Sequence, residues 1–456
     1  MYHQMAKQIS VDTAVLTDTK TAADTIDRCL NNMLYHSRPV YIGVPVDVSH
    51  LQIDGQSLKE PLQRHNPRST EVPYQLVRHL HFADSIQADE HKVLSDIIDR
   101  IEASKHPVII TDGLVVRNEL SAEADKLAQL TGWPYFTTAM GKGGPNESLP
   151  NFGGVYAGAG SLPEIKSAIE KEADLVLWLG SFRTDFNTGE MTDFVDQAKT
   201  IDMQRFSTKV GAKIHGVGME RLLKVLNEEI ATGKLNVARA GVEVRWEPYP
   251  SPEGVLEAGG TSNALTQDFL WHTLSRFFKT GDLVVGETGT SAFGLCASRY
   301  PGGCHGYNQT VFGSIGYAGP SSTGAFQAAK EHGNLGRGIL VTGEGSLQLT
   351  PMCFADMLKL DLKPIVFVLN NNGYTVERLI HGKEAFYNSV PKWDYEALSR
   401  VFGPKHMSRY FGPIRTCEEL ERLLQDETFH KAECFQVCCP FRLMCASNTL
   451  MTTAVG

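Results

Sequence analysis

Two apolar runs in the second half of the chain each end in a short polar segment rich in glycine or asparagine. Residues 338–342 are followed by Gly-Glu-Gly-Ser at 343–346, and residues 364–369 are followed by Asn-Asn-Asn-Gly at 370–373. Each run is short and apolar enough for a buried strand of a parallel sheet. Parallel strands direct their carboxyl ends to one edge, where open α/β sheets bind ligands. The pattern therefore predicts that the two polar segments share one crevice.

The earlier part of the chain alternates strand and helix patterns. A β-branched run at 40–46 follows a helix pattern at 21–35, and apolar runs at 107–111 and 175–179 are predicted strands. Further helix patterns occupy residues 85–104, 118–130 and 163–171. Such alternation predicts an α/β fold of consecutive doubly wound parallel-sheet domains.

Two proline-rich stretches divide this pattern into segments. The linker predicted at 53–80 is polar and contains three prolines, and the linker predicted at 232–262 contains three more and a glycine pair. Proline and paired glycine mark loops because neither suits the interior of a helix or strand. We therefore predict structured segments at 1–52, 81–231 and 263–437, followed by a tail at 438–456.

The polar segments after the two apolar runs suit a metal diphosphate. A tight turn at 343–345 and a helix opening at Ser346 would offer free backbone N–H groups to phosphate. Mg²⁺ prefers oxygen ligands, which Glu344, the Asn371 side chain and the Gly373 carbonyl can supply. Taken singly, each segment also fits an ordinary turn or loop, since Gly and Asn tolerate left-handed backbone. The pairing of both segments after buried strands favours the binding site.

Composition excludes several classes of function. The net charge is −9 without a basic cluster, so we expect neither nucleic acid nor an anionic membrane surface as a partner. No long charge-free apolar run could span a bilayer, and the first residues lack the apolar core of a signal peptide, so a cytoplasmic location is expected. The nine cysteines form neither a disulfide framework nor a zinc-binding spacing.

The two-part motif resembles the thiamine diphosphate signature, and its wording is similar to that of fungal pyruvate decarboxylases. The resemblance rests on five segments, at 37–46, 287–294, 313–317, 343–350 and 373–382, and runs from about residue 3 to residue 437. It implies a thiamine-diphosphate- and Mg²⁺-dependent 2-oxo acid decarboxylase. The expected reaction is the nonoxidative conversion of pyruvate to acetaldehyde and CO₂.

The resemblance also implies roles for individual residues. Thr288 is expected near the reactive part of the cofactor and Thr290 near its diphosphate, while the backbone of Gly313 and Ile315 contacts its pyrimidine. Ile315 matches the apolar residue that holds the cofactor bent; as an isolated residue it would be read as ordinary core. The remaining cofactor-binding candidates come from the two-part motif: Gly343, Gly345, Ser346, Asn371, Gly373, Tyr374, Thr375 and Glu377.

Glu377 is the candidate catalytic residue. In the family, the matching glutamate assists departure of the carboxylate and the later protonation step. We expect it to be buried beside Val376 and Ile380, the candidate substrate-pocket residues, where burial would favour its protonated form. Its alternative role is that of an acidic residue stabilising a helix start.

This chain departs from the family pattern at three places. Glu344 replaces the usual aspartate, which predicts weaker Mg²⁺ binding because the ligand is one methylene longer. Pro320 lies where the family begins a helix and is expected to shift the helix start. The sequence after Val437 no longer follows the family's closing strand.

The family's N-terminal pyrimidine-binding domain is matched only at its end, so residues 1–52 are interpreted as a remnant of it. The glutamate that activates the cofactor would then be absent, and a complete site would need a partner chain. We expect a homo-oligomer, dimer or tetramer, or a hetero-oligomer with a full-length paralogue. Two alternatives stay open: a noncatalytic or truncated relative that binds cofactor or docks onto another subunit, and an aromatic substrate such as indolepyruvate or phenylpyruvate.

Overall fold

The computed structural model describes residues 1–56, 85–237, 263–382 and 384–440. Two compact units are present, Met1–Ser85 and Ile86–Gly456. Most of the predicted linkers at 53–80 and 232–262, and most of the predicted tail at 438–456, lie outside the described residues. In the part of the chain that is described, no helix is long and apolar enough to cross a membrane.

The first unit contains a small β-α-β arrangement. A short helix α1 (Tyr2–Ala6) comes first. Strand β1 (Asp12–Val15) then pairs in parallel with β2 (Val40–Gly43), and helix α2 (Ala22–His36) connects the two strands. The strand predicted at 40–46 ends three residues early, just before the Val44-Pro45 pair, where proline cannot donate to a sheet. Its two-stranded sheet leaves apolar side chains such as Ile9 and Val46 exposed.

The second unit begins with a seven-stranded sheet whose strand order is β5-β4-β3-β6-β7-β8-β9. Its first five strands in that order are parallel, and the last two pairings are antiparallel. The strands are β3 (Pro107–Thr111), β4 (Tyr135–Thr137), β5 (Phe152–Val155), β6 (Leu175–Leu179), β7 (Thr200–Met203), β8 (Thr208–Val210) and β9 (Lys213–His215). The helices are α3 (Ser85–Ala103), α4 (Gly113–Arg117), α5 (Ser121–Thr131), α6 (Pro163–Ser167), continued by one wider turn at Ala168–Glu172, and α7 (Met219–Ala231).

The second sheet of this unit is parallel throughout, with strand order β11-β10-β12-β13-β15-β14. Its strands are β10 (Leu283–Gly286), β11 (His305–Asn308), β12 (Gly338–Gly343), β13 (Ile365–Leu369), β14 (Ser408–Ile414) and β15 (Phe435–Pro440). The helices around it are α8 (Gln267–Phe277), α9 (Thr290–Ala297), α10 (Ala318–Glu331), α11 (Glu344–Leu347), α12 (Cys353–Lys359), α13 (Thr375–His381), α14 (Tyr395–Val401), α15 (Cys417–Gln425) and α16 (Glu427–Lys431).

Apolar side chains cover both faces of the second sheet. On one face Phe277, Phe367 and Phe429 pack edge to face or tilted, with ring centroids 5.7–6.0 Å apart. On the other face Phe354 packs against Phe435, with centroids 4.8 Å apart. Burial on both faces explains why β12 and β13 are almost uninterrupted apolar runs and why they were predictable as strands.

A buried ion pair joins the two sheets of the second unit. Lys142 and Glu147 lie in the loop between β4 and β5, with Nζ–Oε2 at 2.7 Å and side chains only 2% and 0% exposed. Lys142 also donates to the Ser298 carbonyl and lies over the Tyr300 ring, and Glu147 accepts the Tyr300 N–H at 2.9 Å. Because Ser298 and Tyr300 follow α9, this pair fixes the loop of one sheet against the helix that precedes the other's β11.

Two departures predicted from the sequence have smaller structural effects than expected. Helix α10 includes Pro320 as its third residue, because first-turn N–H groups have no partner within the helix and proline costs little there. The closing strand does not end at Val437: β15 continues through Cys438, Cys439 and Pro440, and Cys438 pairs with both β13 and β14. The boundary placed at 438 therefore falls inside a strand.

Candidate functional site

The carboxyl ends of four neighbouring parallel strands form the edge that carries the site. Strands β11, β10, β12 and β13 are adjacent in this order, so the segments that follow them lie along one edge. The prediction that the segments after β12 and β13 meet is confirmed by the parallel pairing of Gly343 with Leu369. Such an edge is the usual ligand crevice of an open α/β sheet.

The segment after β12 is shorter and more helical than predicted. Strand β12 runs to Gly343, and helix α11 begins at Glu344 rather than at Ser346, so Gly-Glu-Gly is not a separate tight turn. Helix α11 has only four residues, so its dipole contributes little to phosphate binding. All four residues of this turn, including Ser346, are buried, and Gly343 directly before it is partly exposed.

The Glu344 carboxylate is buried and reaches across the crevice to the segment after β13. Its Oε1 accepts the Gly373 N–H at 2.6 Å, and the side chain is 4% exposed. Burial raises the pKa of Glu344, and hydrogen bonds from the backbone of Gly373, Asn371 and Asn372 oppose that rise. The carboxylate of this predicted metal ligand therefore already accepts a backbone N–H from the segment after β13.

The side chain of Asn371 lies among oxygen atoms. With its nitrogen turned inward, the amide is within 2.6 Å of the Gly373 carbonyl oxygen, 3.1 Å of Thr375 Oγ1 and 3.2 Å of Glu344 Oε1. Neighbouring ligand oxygens around an octahedral Mg²⁺ lie about 2.9 Å apart, given metal–oxygen distances of about 2.0–2.1 Å. With its oxygen turned inward, Asn371 completes such an oxygen cluster.

These residues fit Mg²⁺, because one carboxylate, one amide oxygen and one backbone carbonyl leave coordination positions for diphosphate and water. Glu344, Asn371 and Gly373 are thus brought together as predicted. Among the described residues, no three His, Cys, Asp or Glu side chains form a metal-binding cluster. The single carboxylate here agrees with a site that depends on ligand phosphates for the rest of its charge.

Close backbone approaches shape the loop after β13. Gly373 has φ of +131°, and a Cβ there would lie 2.5 Å from the Asn388 carbonyl oxygen, so only glycine fits. Gly345 is likewise covered by the Tyr374 ring, 2.5 Å from the position a Cβ would take. Arg378 closes the loop from outside by donating to the Asn372 carbonyl at 2.6 Å.

The loops after β10 and β11 also meet. Thr290 is the first residue of α9, directly after the Thr288-Gly289 turn, and Thr288 donates to the Gln309 carbonyl at 3.3 Å. A Cβ on Gly313 would lie 3.6 Å from the Thr288 side chain, so these two cofactor candidates face each other. Ile315, on the same loop, is 42% exposed, which excludes its alternative role as ordinary core.

Glu287 is a residue of this site that our sequence reasoning missed. Its buried carboxylate accepts the N–H groups of Thr288 at 3.0 Å and of Gly316 and Ala318 at 3.2 Å each. It thereby ties the loop after β10 to the loop after β11, and burial raises its pKa. The signal was present in the sequence, since Gly286-Glu287 ends an apolar run in the same way as Gly343-Glu344.

The prediction that Glu377 is buried is wrong in this chain. Its side chain is 50% exposed in α13, and its carboxylate lies 3.7 Å from His381 Nε2. Val376 is half-buried and Ile380 is 47% exposed, so neither removes the carboxylate from water. The residues of this short helix follow the metal loop directly, but on the described chain they form an open face rather than a closed pocket.

Comparison with known proteins identifies the class. The model of the thiamine pyrophosphate enzyme central domain matches residues 94–220, and that of the C-terminal TPP binding domain matches residues 285–435. The structure is similar to that of a Rhodococcus jostii thiamine diphosphate-dependent 4-hydroxybenzoylformate decarboxylase, with a TM-score of 0.68 and 18% identity, covering 98% of this chain and 79% of the other. Fold and site together define a thiamine pyrophosphate enzyme.

Sequence relatives narrow this class further. Pyruvate decarboxylase of Candida glabrata is 37% identical over 435 residues, and isozyme 1 of Saccharomyces cerevisiae is 36% identical over 432 residues. In both cases the match covers 94% of this chain and 72% of the relative. The chain belongs to the pyruvate decarboxylase family of thiamine pyrophosphate enzymes, whose members are carboxy-lyases acting on 2-oxo acids.

Proposed function

We propose that this chain supplies the diphosphate-binding part of an enzyme that converts pyruvate and a proton to acetaldehyde and CO₂ with thiamine diphosphate and Mg²⁺. The observation that carries the proposal is the meeting of Glu344, Asn371 and Gly373 at the carboxyl ends of β12 and β13. When bound, thiamine diphosphate supplies the electron sink for the pair left behind by CO₂. The protein's part is to hold and orient it.

Each group of residues has a distinct part in this proposal. Glu344, Asn371 and the Gly373 carbonyl would hold Mg²⁺, and the backbone at 343–346 would face the diphosphate. Thr288 and Gly313 line the crevice on the side of β10 and β11, where Glu287 links their two loops by hydrogen bonds. The exposed Ile315 side chain is available to a ligand in a way that a core residue is not.

We place the substrate beside α13. Val376 and Ile380 would contact its apolar end, and Glu377 would serve as the acid near the departing carboxylate. The resemblance to fungal pyruvate decarboxylases implies an isoleucine where this chain has Val376. The smaller valine leaves room for an aromatic 2-oxo acid such as indolepyruvate or phenylpyruvate. One methylene alters discrimination by only about 1–3 kcal/mol, so pyruvate remains the first substrate to test.

We propose that a second chain covers this open face. Phe312, next to Gly313, is 81% exposed, and Phe386 is 91% exposed. Phe386 lies in the turn Phe386–Asn388, whose Asn388 carbonyl accepts the N–H of Tyr374 beside α13. Burying such aromatic rings is favourable, and it would also remove water from Glu377. The partner we infer, in the cytoplasm, is a second copy of this chain or a full-length paralogue. The paralogue would also bring a pyrimidine-binding domain with its activating glutamate.

The second candidate is a noncatalytic relative that docks onto such a subunit. It is favoured by the exposure of Glu377 and by the replacement of the usual metal-binding aspartate with Glu344. Both candidates share the same fold and differ only in whether the open face completes a working site.

The test is acetaldehyde formation from pyruvate with Mg²⁺ and thiamine diphosphate. The purified chain is measured alone and mixed with a full-length homologue inactivated at its own diphosphate site. Acetaldehyde formation only in the mixture supports the proposal. Acetaldehyde formation by the purified chain without the homologue would show that no partner domain is required. Inactivity in both, with cofactor binding shown by calorimetry, would favour the noncatalytic candidate.

A further inference from the structure

The longer side chain of Glu344 changes how the metal loop at 370–373 is held. In this structure the carboxylate spans the crevice and accepts the Gly373 N–H at 2.6 Å. Removing one methylene withdraws the carboxylate by roughly one carbon–carbon bond, about 1.5 Å. An aspartate at this position would then lie about 4 Å from that N–H, beyond hydrogen-bond distance.

A second hydrogen-bond donor lies in the same place. The inward-turned nitrogen of Asn371 is 3.2 Å from Glu344 Oε1 and 2.6 Å from the Gly373 carbonyl oxygen. Two donors therefore satisfy oxygens that a cation would otherwise satisfy. Because Glu344 is nearly fully buried, these hydrogen bonds are shielded from water, and losing them leaves polar groups unsatisfied.

We propose that Glu344 holds the metal loop of this chain closed in the absence of a metal, so that the loop is ordered before metal binds and the metal must displace these internal hydrogen bonds. The proposal rests on the proposed function only for the identity of the metal. It predicts two opposite effects of a single substitution. Glu344→Asp loosens the metal-free loop and at the same time binds Mg²⁺ more tightly.

This opposition separates the proposal from a merely structural role. A residue needed only for packing would, when shortened, weaken loop order and metal binding together. Glu344→Gln is the matching variant, because it keeps the length and an oxygen acceptor for the Gly373 N–H but removes the charge that the metal requires. It should leave the metal-free loop ordered and reduce Mg²⁺ affinity.

Hydrogen–deuterium exchange of the peptide covering residues 370–375 tests the loop, in the full chain with a chelator present. We expect exchange at Gly373 to be at least tenfold faster in Glu344→Asp, roughly the effect of losing one hydrogen bond to a charged group. Added Mg²⁺ with thiamine diphosphate should restore protection. Glu396→Asp removes the same methylene from an exposed carboxylate of α14 and should change nothing.

The outcomes divide cleanly. Unchanged exchange in metal-free Glu344→Asp, or equal loosening in Glu344→Gln, would overturn the proposal. Faster exchange in Glu344→Asp with retention in Glu344→Gln supports loop closure by Glu344, whether or not Mg²⁺ binds. Faster exchange that no divalent metal reverses would support loop closure by Glu344 while contradicting the metal site of the proposed function. Calorimetric titration with Mg²⁺ and thiamine diphosphate reads the second effect, and Mg²⁺ affinity no higher in Glu344→Asp would count against displacement.

Discussion

Replacing Glu287 with glutamine tests whether one buried carboxylate holds two cofactor loops together. The carboxylate accepts three backbone N–H groups, from Thr288 on one loop and from Gly316 and Ala318 on the other. Glutamine has nearly the same shape but only one side-chain oxygen. If that oxygen keeps the Thr288 N–H, the new amide hydrogens face two backbone donors, and both hydrogen bonds to the second loop are lost.

The magnitude follows from those contacts. Hydrogen bonds to a charged acceptor contribute about 1.5–3 kcal/mol each, so losing two costs about 3–6 kcal/mol. The neutral amide recovers part of the desolvation cost that raises the pKa of Glu287, so we expect a net loss of about 2–4 kcal/mol. If this loss opens the loops of the free protein, the affinity for thiamine diphosphate falls by about 30- to 700-fold, since each 1.4 kcal/mol is tenfold.

Two measurements on the same preparations give the answer. Urea unfolding reports the global loss, and calorimetric titration with thiamine diphosphate in excess Mg²⁺ reports cofactor affinity. Glu396→Gln serves as the control, because Glu396 is exposed and forms an ion pair with Arg400 of its own helix. The reasoning is refuted if Glu287→Gln binds the cofactor as tightly as the unaltered chain and unfolds within about 0.5 kcal/mol of the control, the usual range of a surface substitution.

Three further predictions concern other buried or exposed charges. Lys142→Met leaves Glu147 buried without its partner and should lower the free energy of unfolding by about 3–5 kcal/mol, most of which the Lys142→Met/Glu147→Leu double variant should recover in urea unfolding. Burial raises the pKa of Asp112 from 3.8 to about 6, so between these two pH values the folded chain binds one proton more than the unfolded chain. The free energy of unfolding should therefore fall by about 3 kcal/mol as pH rises from about 4 to about 7. The Asp112→Asn variant should lack this fall, and urea unfolding of both chains across this pH range measures the difference. Glu377→Gln should lower kcat of the complemented mixture by at least about 100-fold while leaving the unfolding midpoint unchanged, because the side chain is half exposed; equal kcat would remove Glu377 from the chemistry.

Several features of this protein could be read directly from the sequence. Strands β3 and β6 have the predicted bounds, because a strand buried on both faces of a parallel sheet is a continuous apolar run that requires no knowledge of its neighbours. The meeting of the segments after β12 and β13 follows from the same rule. In contrast, the three-residue strands β4, β8 and β9 are too short to show a pattern and escaped prediction.

The tertiary structure decided everything that depends on distance between separate segments. Sequence spacing located Glu344 near Gly373, but only the folded backbone shows that its carboxylate reaches that N–H, and only the arrangement of α13 shows that Glu377 faces water. The same is true of Glu287, whose three donors come from two loops about thirty residues apart along the chain. Local pattern determines which residues form an element, because periodicity and propensity act over a few residues. Burial and hydrogen bonding of a single side chain depend on what the rest of the chain places around it.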